Sequence, residues 1–133
     1  MGAWGVGHFD NDDAGDWVWE LEDTGTASPV TAAFAAVEAE ANYLEAPDAC
    51  IALAAAEVVA AWAGNPAAET PDTVIDLVEG FSEPLDPALL VRARAAVERV
   101  ATDSELRELW AESEDFGAWR AMVQGLLRRL QAA

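Results

Sequence analysis

The chain has 133 residues, 53 % of them hydrophobic, with six Trp and four Phe, so it can bury a core without staples and is not disordered. Asp and Glu number 25 against 7 Lys plus Arg, and the resulting charge of −18 repels nucleic-acid phosphate and anionic lipid, which excludes both as expected partners. The lone cysteine, Cys50, excludes an internal disulfide, a zinc cluster and a thioredoxin-type pair, and reads as a small buried hydrophobe.

The opening run, MGAWGVGHFDNDDAGDW, alternates Gly2, Gly5 and Gly7 with Ala3, Trp4, Val6 and His8. This suits an extended arm over residues 1–10 lying closely on the body, with Trp4 and Phe9 as its anchors. It lacks the basic, apolar and small-residue pattern of a signal peptide, and Val6 stands where a myristoylation signal needs Ser or Thr, so cytoplasmic residence is expected. A first helix begins at Asp10 or Asn11, both good caps, with Asp12, Asp13 and Asp16 near its positive end. Ala14, Trp17, Val18 and Leu21 make its inner face, and Trp19 points off that face.

A loop over Thr24-Gly25-Thr26-Ala27 leads to a second helix, with Ser28 as cap and Pro29 in the first turn. Its stripe is Val30, Ala33, Phe34, Val37, Ala41 and Leu44. The third helix, 47–63, is the centre of the chain, because from Ala49 to Ala63 every residue but Glu57 is apolar. A helix greasy all round is normally buried on every side, and this one is too short and too polar to span a membrane. Gly64-Asn65-Pro66 closes it. A fourth helix starts at Thr70-Pro71, carries Val74, Ile75, Leu77 and Val78, and ends at Gly80. Asp86-Pro87 opens a fifth, with Leu90, Ala93, Val97 and Val100 inward. Thr102 and Glu105 form a capping box for a short sixth bearing Leu106, Leu109 and Trp110. The last, from about Asp115, buries Phe116, Trp119, Val123, Leu126, Leu127 and Leu130. With no alternating run, the expectation is an all-α, single-domain bundle of six or seven short helices, spanning residues 1–133 around helix 47–63.

Three constellations could carry chemistry. From Asp10, acids fall at positions 1, 3 and 7 and glycine at 6, as in a calcium loop, but Ala14 and Leu21 occupy positions 5 and 12, where ligands are required. Capping and dipole compensation explain the cluster better. Acids stacked at i, i+4 nevertheless repel, so Asp12 or Asp13 with Asp16 and Glu20 would attract a divalent cation or an arginine such as Arg92, Arg94, Arg99 or Arg120. Glu57, alone among Ala and Val, calls for a cation or hydrogen-bond donors, either an arginine of the later helices or the N–H groups of the glycine arm. His8 is the only histidine and has no nucleophile in a recognisable setting, so a surface or hydrogen-bonded role is expected. The glycines lack the Lys and preceding strand of a phosphate loop.

The run Gly2-Ala3-Trp4-Gly5, Gly7, Phe9-Asp10-Asn11-Asp12, Ala14, Asp16-Trp17 and Leu21 resembles the opening signature of a bacterial family, domain of unknown function 4259. The likeness continues through Tyr43-Leu44, the Ala-rich helix with Glu57, Ser104-Glu105-Leu106, Leu109-Trp110 and Trp119. It implies a small, soluble bacterial protein with no established activity, so no catalytic residue is carried over. His8 and Trp19 look like this chain's own choices.

Residues 1–91 hold 18 acids and no Lys or Arg, whereas residues 92–133 hold 7 acids and 7 Arg. The leading expectation is therefore a non-enzymatic module, immunity- or inhibitor-like, presenting an acidic surface to a basic protein without any cofactor. One alternative is a small metal-dependent or acid–base enzyme using Asp12, Asp16 and Glu57 beside the glycine arm. Another is a structural protein that self-associates through Trp19, so monomer and homodimer both stand.

Overall fold

A computed structural model describes residues 3–133; Met1 and Gly2, the first positions of the expected arm, lie outside the described residues. Seven helices follow one another among the described residues: α1 (Asp12–Thr24), α2 (Ser28–Ala39), α3 (Ala46–Trp62), α4 (Asp72–Gly80), α5 (Pro87–Thr102), α6 (Glu105–Ala111) and α7 (Phe116–Gln131). The architecture is an all-α bundle, and α3 packs against each of the other six helices. Every residue from Ala52 to Ala61 is buried, which a helix without a polar face requires. Its alanines let neighbouring helices come close, while Phe34, Leu53, Trp119 and Leu126 fill the space around it. One continuous hydrophobic cluster joins residues of all seven helices.

The helix starts follow local chemistry in part. Asn11 caps α1, its side chain accepting from Ala14 N at 2.8 Å, and Asp86 caps α5 by accepting from Ala88 N at 2.9 Å. The end of α3 is a tight reversal in which Gly64 takes φ +90°, a conformation glycine adopts without strain. Gly64 N and Asn65 N there donate to the carbonyls of Ala61 and Ala60 at 3.0 and 2.8 Å.

Several expectations are corrected. Ser28 does not cap α2: Ala27 stands at that position without a side-chain bond, and Ser28 is already helical. α2 stops at Ala39, so Ala41 is exposed and Leu44 reaches the core from an irregular segment. The cause is tertiary. Arg99 of α5 donates to the carbonyls of Glu40 and Asn42 at 2.7 and 3.4 Å, and Glu105 N donates to Leu44 O at 2.9 Å, which holds the chain off a helical course. Thr102 is not the cap of α6; it ends α5 and donates to Glu98 O, while Ser104 accepts from Arg107 N at 3.1 Å. Glu105, the other half of the expected box, accepts from Ala46 N at 2.7 Å and so closes the start of α3. The fourth helix does not start at Thr70-Pro71: α4 begins at Asp72, after Pro71, with no side-chain cap.

Candidate functional site

Residues 3–11 form a tight loop rather than a straight arm. Ala3 pairs with Asn11 in an isolated bridge, Trp4 N donates to Asp10 O, and Asp10 N donates to Gly7 O, both at 3.0 Å. The Asp10 carboxylate turns back beneath the glycines, accepting from Gly7 N at 3.2 Å. A Cβ on Gly5 or on Gly7 would stand 2.6 Å from Asp10 Oδ2, so a larger residue at either position would have to push the carboxylate aside. The opening motif is thus a device for folding the loop over its own aspartate.

That fold sends His8 inward and Trp4 outward. Trp4 is 67 % exposed and anchors nothing, contrary to expectation, because the Ala3–Asn11 pairing turns its side chain to the outside. The anchors are Val6, Phe9 and above all His8, which is buried rather than on the surface. Val6 and His8 share a narrow seam with Cys50 and Leu53 of α3, Leu106 of α6 and Trp119 of α7. Burial lowers the His8 pKa below its ordinary 6.5, while the nearby Glu57 carboxylate pulls the other way. Burial also pushes the Cys50 thiol up to about 12, helped by the Asp13 carboxylate, so no thiolate nucleophile forms there at neutral pH.

Glu57 is the second inward polar group. It meets Arg129 of α7 in a two-pronged ion pair, Nη1 to Oε1 at 2.8 Å and Nη2 to Oε2 at 3.0 Å. Arg129 also donates to Asn65 O, and Asn65 Nδ2 donates back to Arg129 O at 3.2 Å. The pair therefore fastens the end of α3 to α7. Between the expected partners, an arginine has taken Glu57 and the glycine N–H groups have not.

His8 and Glu57 come together in one small cavity with Asp10 and Thr70. Asp12, Asp16 and Glu20 do not join them; they lie exposed on the outer turns of α1. Among the described residues, no three His, Cys, Asp or Glu side chains gather closely enough to hold a metal ion. Nor do the suggested arginines reach the α1 acids. Arg92 pairs with Glu38 at 2.7 Å, Arg99 lies 3.5 Å from Asp103, and Arg120 stacks over the Phe116 ring. Of the eighteen acids before Arg92, only Glu38 and Glu57 stand within 4 Å of an arginine among the described residues.

The outer face of α1 consequently carries its charge uncompensated, and Trp19 stands in its middle, 79 % exposed. Asp16, Glu22 and Asp23 lie three or four residues from Trp19 and share its face. At the C-terminal end of the helix a recess of about 350 Å³ is lined by Glu22 and Gly25 and, from α4, by Thr73, Asp76, Leu77 and Gly80. Sequence reading found Trp19 through its place off the apolar stripe. It missed Thr70 and the recess, which no local pattern marks.

An all-α fold with a glycine loop buried through a histidine, and with an acidic, tryptophan-bearing outer helix, defines the class. Residues 2–122 match the family model for a domain of unknown function, DUF4259, and the chain belongs to that family. The chain matches no curated protein and no solved structure. No helix among the described residues is long and apolar enough to cross a membrane.

Proposed function

We propose that the protein is an acidic binding module for a basic protein partner, in the manner of an immunity protein or inhibitor. The observation that carries this reading is Trp19, 79 % exposed and ringed by acids that no arginine of the chain neutralises. Tryptophan is the aromatic most often found at the centre of binding hot spots, and its face attracts a guanidinium or ammonium. The neighbouring recess suits a lysine or arginine side chain, with Leu77 beside the stem and Glu22 and Asp76 beside the charge. Charge of this sign speeds encounter with a basic surface and makes it sensitive to salt. The acid–base alternative draws less support, since Glu57 is committed to Arg129 and the Cys50 thiol is held neutral.

The test is capture from a lysate of the native host on immobilised protein, at low and at high salt, with Trp19→Ser alongside. One basic protein retained at low salt, weakened at high salt and lost with Trp19→Ser is the expected outcome. No protein retained at either salt refutes the proposal. Light scattering that shows a dimer dissociated by Trp19→Ser would assign the face to a second copy of the chain instead.

A further inference from the structure

Two buried polar atoms among the described residues meet no hydrogen-bond partner within the protein: Nε2 of His8 and Oγ1 of Thr70. His8 is 4 % exposed and Thr70 8 %, so bulk water reaches neither freely. The two residues come from the glycine loop and from the segment ahead of α4, and both line the same cavity. The Glu57 carboxylate forms another wall, and Glu69, exposed, stands at the mouth. An unmet buried donor or acceptor costs on the order of 1–3 kcal/mol, so two of them on residues that line one small space point to a shared guest.

Size and chemistry narrow that guest. The cavity leaves about 20 Å³ for the centre of a water-sized molecule, and one water needs roughly 10–15 Å³ with two to four polar partners. The lining residues carry three: the imidazole nitrogen of His8, the hydroxyl of Thr70 and the carboxylate of Glu57. Each Glu57 oxygen accepts one bond from Arg129 and keeps a further lone pair. A metal ion fits poorly, since no three acidic, His or Cys ligands gather there and the Arg129 guanidinium already stands 2.8 Å from Oε1. A neutral imidazole, a hydroxyl and an already paired carboxylate suit a neutral molecule that both donates and accepts.

We propose that this cavity is a binding site for a single water molecule, bridging His8 Nε2, Thr70 Oγ1 and the Glu57 carboxylate, and that this water latches the glycine loop to α3 and to the segment before α4. In this chain the glycine-rich opening then has a physical purpose: it bends the backbone so that His8 reaches this water.

The experiment joins a high-resolution crystal structure to urea unfolding of the Thr70→Val and Thr70→Ser variants. Valine has nearly the shape of threonine, so its effect separates the two cases. With a bridging water, Thr70→Val loses a hydrogen bond and the folding equilibrium constant falls by roughly threefold to tenfold. Thr70→Ser keeps the hydroxyl and most of the stability. Density for one water within hydrogen-bond distance of all three groups, with that stability pattern, supports the proposal. If the cavity is dry, if it holds an ion, or if Thr70→Val leaves stability unchanged or raises it by removing an unmet hydroxyl, the proposal is overturned. None of these variants touches the outer face of α1, so the result is independent of partner binding.

Discussion

Replacing Arg129 with methionine leaves the aliphatic stem of the side chain and takes away the charge that faces Glu57. The carboxylate is 2 % exposed and bonded at 2.8 and 3.0 Å by the two guanidinium nitrogens, so its loss of partner is close to complete. Stripping one partner from a buried pair costs about 3–5 kcal/mol, mostly through the stranded charge. The Arg129 side chain is 24 % exposed, so water reaches the vacated place and the lower value, about 3 kcal/mol, is expected. For a chain of this size that lowers Tm by roughly 9–15 °C. Urea unfolding followed by helical circular dichroism measures the loss directly. The paired change Glu57→Leu with Arg129→Met recovers most of it, because neither charge is then buried, and the double-mutant cycle gives a coupling of about 2 kcal/mol. A cost below about 1 kcal/mol for Arg129→Met, the value of an exposed pair, would refute the reasoning.

Three further outcomes follow from local geometry. Gly7→Ala sets a Cβ 2.6 Å from Asp10 Oδ2 and displaces the carboxylate that Gly7 N donates to. It should cost about 1–2 kcal/mol in urea unfolding, and clearly less in an Asp10→Ala background, where the clash is gone. Ser104→Ala removes a hydroxyl that accepts from Arg107 N at 3.1 Å and donates to Val100 O at 2.7 Å. The expected loss is about 1 kcal/mol, read as a lower unfolding midpoint at constant slope. For His8 the sign follows from burial, which lowers its folded-state pKa below 6.5, so the unfolded chain binds the proton more readily. Its contribution is complete above the unfolded value and is lost as pH falls from 6.5 toward the lower folded value. Midpoints measured across that window should fall more steeply for the native protein than for His8→Gln, and equal slopes would remove His8 as the cause.

Much of the scaffold was legible from residue order, because helices are local. The unbroken apolar run of α3 admits burial and little else, and the stripes of α5 and α7 put Val97, Val100, Val123 and Leu126 on the inside, as their spacing requires. Asn11 and Asp86 cap helices because a side chain bonds an amide only two or three residues away. Where two local signals competed, packing chose between them. Thr102 read as the cap for α6, but it stayed in α5 and Ser104 took the place. The stripe of α2 ran on to Leu44 in the sequence, yet the helix ends at Ala39, and Arg99 of α5 takes the Glu40 carbonyl just beyond it.

The site belongs to tertiary structure almost wholly. That Glu57 needed a partner was plain from its neighbours; that the partner is Arg129 depends on the rotation of α7 against α3, which no short window of sequence encodes. Trp4 and His8, both in the glycine stretch, exchanged their expected places because one backbone bridge decides which side chain faces the core. Thr70 comes to line one cavity with a histidine of the opening loop only because the chain returns past that loop after α3. Periodicity and capping act over a few residues, so order along the chain determines them. Pairing of buried polar groups is settled by which helix faces lie together, and that only the packed molecule decides.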